Sequence, residues 1–564
     1  MPVTLLFGIH AHQPLAAPAL RIADAHERCY RPFLAIADAH PGFRCTAHFS
    51  GPLLAWMRAN RPDDFARLVT LNRRRQVELL AAGSCAPNLA AIPHRDRIAQ
   101  LRTYCEKLTQ WTGRAPEGAW LTGGVWEPTV LPALAESGLR YVPIDACQFA
   151  GSGYSASELD GFFASEEDGQ RLDLFPVDGE LRQLLREATA AEAVAGLEAL
   201  AASGRPLAIH FDALETLCER GDWLAEFMAA VLASGQIETA CYGDFHNSHG
   251  ARGIAYPAGG SGRAALARAP AANWLHKRML GLSARLARLP RQPRELLDLL
   301  HRAQAHDDQA PSPAYGMESP PLRAALWQNL LGLESRLDRL DRRPAMESDD
   351  FDLDGRRETL AHGGEWQLAT RDDGFGAVHE LSSYGLAHNF AGTPAGAVWI
   401  DSLNGRNLTD YQPAGPLAYA RAGIAKRIIL IGDLISLQWR LSGLVGKTFA
   451  TTLNLALSGA DAAGGYLVGE EGERLPFGES LDLADASTLI LADEALGGRL
   501  CIAWNEGARV AAGPCFQIVR GAEGSEKVMQ SVQIRLEWDV CLPEFTIALQ
   551  VTANPRTETP HAPD

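Results

Sequence analysis

The stretch from Gly118 to Pro128 reads GAWLTGGVWEP, a short apolar run followed at once by a glycine-rich turn. It is one of seven such runs in residues 1–262, and helix-like segments such as Pro62–Gln76, Ile98–Gly113 and Ala190–Ser203 lie between them. Because parallel neighbouring strands need a long connection, this alternation predicts a parallel (β/α)7-type barrel. The predicted strands are Val3–Ile9, Arg44–His48, Val77–Ala81, Gly118–Leu121, Tyr141–Ile144, Leu172–Phe175 and Leu207–Phe211.

The sequence pattern changes twice after the barrel. Residues 263–345 carry leucine, methionine and tryptophan at three- and four-residue spacing, which predicts a helical insert. Residues 346–554 alternate apolar and polar positions between turn dipeptides, which is typical of an antiparallel β-sandwich. We expect a loop over 306–320 and a disordered tail over 555–564. The predicted helices of the insert are Arg263–Leu289, Pro293–Ala305 and Pro321–Arg342.

Composition excludes several classes of partner. The 564 residues are 46% hydrophobic and carry a formal charge of −16, whereas nucleic acids and anionic membrane surfaces attract basic proteins. No run of about 18 apolar residues predicts a membrane-spanning helix. The run Val3–Ile9 lacks a basic segment before it and a cleavage site after it, so we interpret it as a strand and not as a signal peptide. Ten cysteines without C-x-x-C spacing indicate reduced thiols and a cytoplasmic location.

Histidines follow the first two predicted strands. His10 and His12 lie in GIHAHQP, and His48 lies in AHFSGPLL. The working residues of a parallel barrel collect at the carboxyl ends of its strands, so three histidines at two such ends favour a shared pocket. A structural role for each ring and a zinc site are the alternatives, since imidazole is a common zinc ligand. We predict a substrate pocket without a metal.

Four segments resemble the signature regions of glycoside hydrolase family 57, the α-amylase and 4-α-glucanotransferase family. GIHAHQPL is similar to the first and ELLAAGSCAPNLAAIPHRDR to the second. AWLTGGVWEP is similar to the third, where the family pattern is W-L-T-E-R-V-W-E-P, and LAIHFDALETL stands where the fourth has a D-D-G-E-K-F-G core. Similarity continues through YVPIDACQF and ANWLHKRMLGLSARL to the sandwich, which begins with DFDLDGRRETL. The resemblance implies an α-glucan or maltooligosaccharide as ligand and no cofactor.

The departures from the family pattern concentrate in the predicted pocket. Gly123 and Gly124 occupy the places of the nucleophilic glutamate and of the arginine beside it. Only Asp212 remains of the acidic pair in the fourth region, at the position of the general acid. SPAYGMESPPLR replaces the fifth region, whose core is W-H-G-x-F-G-G. The further departures are Ala86, Ala146, Gln148, Phe211, Leu214 and Thr216.

These losses bear directly on the chemistry that the family performs. A retaining glycosidase needs two carboxyl groups about 5–5.5 Å apart, one as nucleophile and one as acid and base. Glycine supplies no carboxylate at position 123, and an acid alone at Asp212 leaves the oxocarbenium-like transition state uncompensated. We therefore predict an amylase-like pseudoenzyme that binds α-glucan or regulates glycogen and maltodextrin metabolism. The missing side chain also predicts room for a small anion beside Gly123.

Three other functions stay open from the sequence. An active 4-α-glucanotransferase or α-glucan hydrolase would need relocated groups, for example Asp145 as a base on water. An unrelated chemistry would use Cys85, Cys147 or His94, and the third function is a structural subunit that pairs with an active paralogue. The expected protein partners are a second copy of the chain, in a homodimer, or an enzyme of glycogen metabolism. The predicted substrate-binding residues are His10, His12, His48, Trp120, Trp126, Glu127 and Asp145.

Overall fold

A computed structural model of the chain describes residues 2–260, 262–306, 311–312, 315–316, 319–391, 396–456, 465–470, 472–521 and 524–553. The chain divides into two compact units, Met1–Ala265 with Gln304–Asp307 and Leu266–Ala303 with Asp308–Asp564. We call the first the barrel unit and the second the sandwich unit. The three-part boundaries drawn from the sequence stay a prediction. The predicted tail and much of the predicted loop 306–320 lie outside the described residues.

Strand β1 (Val3–Ala11) is the centre of the barrel unit. It pairs in parallel with β2 (Cys45–Phe49) at one edge and with β7 (Leu207–Ala213) at the other. β2 pairs in turn with β3 (Val77–Leu79), and β8 (Ile237–Ala240) pairs with the first residues of β1. The side chains of β1 are almost all buried, as expected for a parallel strand that is covered on both faces.

Parallel bridges continue the sheet from β3 to the segment quoted first. Ala81 pairs with Ala119, and Gly118 pairs with Tyr141, so residues 118–119 form a strand position between β3 and β4 (Tyr141–Asp145). The apolar run before the glycine-rich turn therefore takes a strand position in the barrel sheet.

The other half of the barrel closes through β6 (Gln170–Val177), which runs parallel to β4. The backbone N–H of Asp178 donates to the carbonyl of Ile209 in β7 at 3.0 Å, which joins the two halves of the ring. The predicted (β/α)7-type barrel is confirmed. β5 (Phe163–Glu167) is an antiparallel hairpin partner of β6 that the sequence pattern did not predict.

Helices connect the strands of the barrel unit. The predicted helix Ile98–Gly113 begins earlier, at His94, because Pro93 holds the extended conformation that precedes a helix. The helices are α1 (Ala19–Ala25), a π-helical turn (His26–Tyr30), α2 (Arg31–Ala39), α3 (Gly51–Asn60), α4 (Pro62–Arg73), α5 (His94–Thr112), α6 (Leu131–Glu136), α7 (Gly179–Glu187), α8 (Ala190–Ala202), α9 (Leu214–Cys218), α10 (Trp223–Ala233), α11 (Tyr242–Ser248) and α12 (Gly262–Arg268).

Longer helices form the first part of the sandwich unit. The single predicted helix Arg263–Leu289 is interrupted, and α13 begins anew at Pro270, a residue that lacks the N–H a continuing helix requires. These helices are α13 (Pro270–Arg288), α14 (Arg294–Ala303) and α15 (Pro320–Leu340). None of the helices described here is long and apolar enough to cross a membrane.

The rest of the sandwich unit is antiparallel sheet, as predicted. Within the described residues, β9 (Pro311–Ser312) pairs with β10 (Tyr315–Gly316), and 18 further strands form one hydrogen-bonded network. These are β11 (Met346–Asp349), β12 (Glu358–Gly363), β13 (Trp366–Arg371), β14 (Val378–Ser383), β15 (His388–Asn389), β16 (Val398–Leu403), β17 (Arg406–Asn407), β18 (Gln412–Gly415), β19 (Ala418–Arg421), β20 (Ile424–Ile431), β21 (Leu434–Leu441), β22 (Thr448–Ala456), β23 (Gly465–Val468), β24 (Arg474–Pro476), β25 (Leu481–Asp493), β26 (Gly498–Gly521), β27 (Gly524–Asp539) and β28 (Glu544–Ala553).

Four tryptophans of the sandwich lie in its core and not on a sugar-binding face. Trp399, Trp439, Trp504 and Trp538 are all buried in one hydrophobic cluster. The sequence favoured this interpretation, because tryptophan on a strand is more often a core residue, and the structure confirms it.

Candidate functional site

The carboxyl ends of β1, β2, β4 and β7 bring the predicted residues to one end of the barrel. His10 of β1 lies in register with His48 of β2, and Ile9 lies in register with Asp212 of β7. His48 is only 2% exposed. Burial first, and the nearby His10 and His12 second, hold the pKa of His48 well below its ordinary value. This ring is therefore neutral and is shielded from solvent.

Three stacked rings lie at this end of the barrel. The His10 ring stacks on Trp120 with centroids 4.9 Å apart, and the Phe211 ring stacks on Trp120 at 4.3 Å. The His10 and Phe211 centroids are 6.4 Å apart and their ring planes are nearly parallel, so the three rings form one stacked cluster. Phe211 stands where the family pattern has an aspartate, so the change converts a charged position into a stacking surface.

The turn at Gly123 has a backbone conformation that favours glycine. Thr122–Gly124 forms a 3₁₀ turn in which Gly123 has φ +66° and Gly124 has φ +65°. Residues with a side chain avoid this left-handed region, at a cost of about 1–2 kcal/mol. A glutamate at position 123 would therefore carry this backbone strain.

The space beside Gly123 is not empty. A Cβ at this position would lie 3.0 Å from Nε2 and 3.3 Å from Cδ2 of His306. The backbone N–H of His306 donates to the carbonyl of Ala86 at 3.1 Å, and Ala305 forms a bridge with Pro87. The expectation of room for a small anion beside Gly123 stays a prediction, and the His306 ring borders that space.

Asp212 does not have the environment of a general acid. Its carboxylate is buried and accepts two hydrogen bonds of 2.5 Å from Arg186 of α7. Burial raises the pKa of Asp212, but the bonds from Arg186 and from the N–H of Ala213 outweigh burial, and the pKa lies below its ordinary value. A general acid must hold a proton near neutral pH, which requires the opposite shift.

The same helix neutralises the second surviving carboxylate. Arg182, one turn before Arg186 on α7, donates to Asp145 at 2.8 Å, and the N–H of Cys147 donates to the other oxygen at 3.1 Å. Burial raises the pKa of Asp145, but the bond from Arg182 outweighs it and the pKa is lowered. Asp145 is therefore ionised and paired, which weakens its candidacy as a base on water.

Two predicted binding residues have structural contacts instead. Trp126 is 1% exposed, and its indole N–H donates to the carbonyl of Pro257 at 3.0 Å. Glu127 is buried and pairs with Arg263 at 2.6 and 3.2 Å. The burial of both side chains argues against direct sugar contact, because each is already surrounded by protein atoms.

The sequence missed one carboxyl group at this end of the barrel. Glu215, in the first turn of α9, accepts hydrogen bonds from the Tyr30 hydroxyl and from the backbone N–H of His12. Burial raises the pKa of Glu215 although both hydrogen bonds oppose the shift. Its only sequence signal is an acidic residue soon after a barrel strand.

The histidines do not form a preassembled metal site. Among the described residues, the one group of metal-ligating side chains with mutually close ligand atoms is Asp350, Asp352 and Glu358 in the sandwich unit. Arg371 pairs with Asp352 and Glu358, so a cation of the protein already pairs with two of these three carboxylates.

Comparison with known proteins identifies the family. Residues 6–258 match glycosyl hydrolase family 57, residues 260–337 match the middle domain of α-amylases and 4-α-glucanotransferases, and residues 406–551 match their C-terminal domain. The α-amylase of Pyrococcus horikoshii is 30% identical over 68% of this chain and 67% of its own length. The chain belongs to glycosyl hydrolase family 57.

Further relatives are similar over the same extent. The 4-α-glucanotransferase of Thermococcus litoralis is 29% identical, and the match covers 69% of this chain and 65% of that protein. The α-amylase of Pyrococcus abyssi is 30% identical over 69% of this chain and 66% of its own length. The matches thus span slightly less than two thirds of these two relatives. The crystal structure of the Thermococcus litoralis enzyme superposes with a TM-score of 0.83 at 22% identity, covering 98% of this chain and 99% of that one, which shows the shared fold.

Proposed function

We propose that this chain is an amylase-like pseudoenzyme that binds an α-glucan without cleaving it. The observation that carries the proposal is the combined state of positions 123 and 212. A glycine in a left-handed turn faces His306 where the nucleophile would project, and the surviving acid is held ionised by Arg186. Double displacement needs a nucleophile and a protonated acid, and neither is available in this arrangement.

The pocket keeps features that suit a neutral sugar. Trp120 is half-buried and stacks with His10 and Phe211, and the relatives named above are glucan-acting enzymes by name. Aromatic faces stack on the apolar C–H surfaces of sugars. The carboxylates of Asp145 and Asp212 add no net charge to this region, because each is paired with an arginine. Glucan binding in glycogen or maltodextrin metabolism, in the cytoplasm, is the role that we propose.

A second candidate is an active enzyme with relocated groups. Glu215 is the observation that favours it, because its pKa is raised by burial and it contacts the backbone of His12 at the same end of the barrel. A carboxyl group with a raised pKa can act as a general acid. The candidate would lack a paired nucleophile and would have to act by inversion.

Binding is tested by titrating maltoheptaose into the full chain by calorimetry. We expect weak binding, with Trp120→Ala reducing affinity by up to about tenfold, because one stacking contact contributes about 0.5–1.5 kcal/mol. Trp56→Ala is the matched control, since this tryptophan packs between Arg61 and His26 on the outer helices and should leave affinity unchanged. No heat at millimolar sugar would contradict the proposal and favour a structural role beside an active paralogue.

Turnover is tested separately by following chain length and reducing ends of maltooligosaccharides over long incubation. We expect no change in either quantity. Products that disappear in Glu215→Gln and persist in Glu219→Gln, a neighbouring exposed glutamate, would refute the pseudoenzyme proposal and establish the second candidate.

A further inference from the structure

Two cysteines that are far apart in sequence are neighbours in the barrel unit. Cys29 lies in the π-helical turn His26–Tyr30, and Cys218 is the last residue of α9. The Cys218 thiol donates to the carbonyl oxygen of Cys29 at 3.7 Å, across 189 residues of sequence. Disulfides form only between cysteines whose Cα atoms are neighbours, within about 7 Å, and this contact of the Cys218 sulfur with the backbone of Cys29 makes the two residues neighbours.

The two thiols differ in their access to solvent. Cys29 is 4% exposed, whereas Cys218 is partly exposed. The hydrogen bond with Cys218 and burial both raise the pKa of the Cys29 thiol. A dissolved oxidant therefore reaches Cys218 first, and Cys29 is the protected neighbour that can react with the oxidised sulfur. An accessible cysteine beside a second, resolving cysteine is one feature of redox-sensitive pairs.

We propose that Cys29 and Cys218 form a reversible disulfide when the protein is exposed to hydrogen peroxide. The Cys218 sulfur attacks one peroxide oxygen, the O–O bond breaks, and a sulfenic acid and water result. The Cys29 sulfur then attacks the Cys218 sulfur, the S–O bond breaks, and a second water leaves with the thiol proton. Two thiols and one peroxide thus give one disulfide and two waters, and an added dithiol reverses the change.

The crosslink would join two elements that already support the end of β1. Tyr30 follows Cys29 directly, Glu215 lies on α9 with Cys218, and the hydrogen bond between them continues to the N–H of His12. A π-helical turn is an irregularity often found at functional positions. The disulfide would hold this turn against α9 without changing any residue of the proposed glucan pocket.

The chain offers a matched control pair. The Cys241 thiol donates to the carbonyl of Cys45 at 3.3 Å, so its sulfur has a similar contact with the backbone of a second cysteine. Both residues of this pair are buried, whereas Cys218 is not. The two pairs share a thiol-to-carbonyl contact, and they differ in solvent access and in the hydrogen bond with Cys218 that raises the pKa of Cys29.

The experiment treats the full chain, with exposed Cys147 and Cys541 replaced by serine, with one equivalent of hydrogen peroxide. Free thiols are then alkylated under denaturing conditions, and the peptides are mapped by mass spectrometry with and without dithiothreitol. We expect a linked Cys29–Cys218 peptide that dithiothreitol removes, while Cys45 and Cys241 stay alkylated. In Cys29→Ser we expect Cys218 to accumulate as a sulfenic acid that dimedone traps.

Two results would overturn the proposal. The first is oxidation of Cys218 to sulfinic acid in the unsubstituted pair with no linked peptide. The second is equal linkage of Cys45 with Cys241, which would show that access does not select the reacting pair. Both readouts are chemical, so they are independent of whether the protein binds glucan.

Discussion

Replacing Gly123 by glutamate tests whether the turn has become specific for glycine. The change places a side chain on a backbone with φ +66°, which costs about 1–2 kcal/mol. It also places a Cβ 3.0 Å from His306 Nε2, an overpacked contact that costs about 1–3 kcal/mol. We expect a loss of roughly 3 kcal/mol in unfolding free energy, or about 6–12 °C in Tm for a unit of this size.

Gly124→Ala is the matched control for the backbone contribution. Gly124 has nearly the same φ, +65°, yet no atom lies within 4 Å of a Cβ built there. Gly123→Ala should therefore be the more destabilising of the two alanine changes, by about 1–3 kcal/mol. Urea unfolding, monitored by tryptophan fluorescence, gives both values.

A double-mutant cycle isolates the contact with His306. His306→Ala should remove most of the extra cost of Gly123→Ala, because the colliding ring is then absent, and leave the backbone cost unchanged. Additive effects of the two changes would refute this account of the turn.

We also expect Gly123→Glu to show no disproportionation of maltotriose, with or without azide, because Asp212 remains ionised by Arg186. Restored transfer at enzyme-like rates would contradict the proposed function directly.

Two further predictions concern ionisation at the pocket. The pKa of Asp212 is lowered in the folded protein, so this carboxylate stabilises the fold above its unfolded pKa of about 3.9. That stabilisation is lost as pH falls through the folded pKa. Arg186→Met should leave burial as the dominant effect, raise the pKa of Asp212 and move acid unfolding to higher pH. Asp212→Asn should change glucan affinity only a few fold, as measured by calorimetry. His48 should stay neutral in ring-nitrogen NMR from about pH 8 to pH 5, and its depressed pKa means that protonation costs stability as pH falls below about 6.5. A His48 signal that titrates near its ordinary pKa would contradict its burial.

The barrel was predictable because its strands are continuous apolar runs that differ from the helices in length and period. The sequence also placed His10, His48 and Asp212 at strand ends, where the parallel register then aligned them. It did not predict the antiparallel strand β5, and it predicted one continuous helix across Pro270 where the structure has two. Those errors are local, since a short hairpin strand and a helix interruption leave little trace in hydrophobic periodicity.

The sequence by itself determined which chemical groups are missing, because a glycine at position 123 and a phenylalanine at position 211 cannot supply a carboxylate in any fold. The tertiary structure alone decided what the remaining groups do. Arg186 lies 26 residues from Asp212, and His306 reaches Gly123 from the far end of the barrel unit's sequence, so neither contact has a local pattern. The pKa of a carboxyl group depends on burial and on the charges a few ångströms away, and folding brings those together from distant parts of the chain. The resemblance to the family pattern therefore predicted the loss of the nucleophile, while only the packed barrel showed that Arg186 keeps Asp212 ionised and that the His306 ring lies beside Gly123.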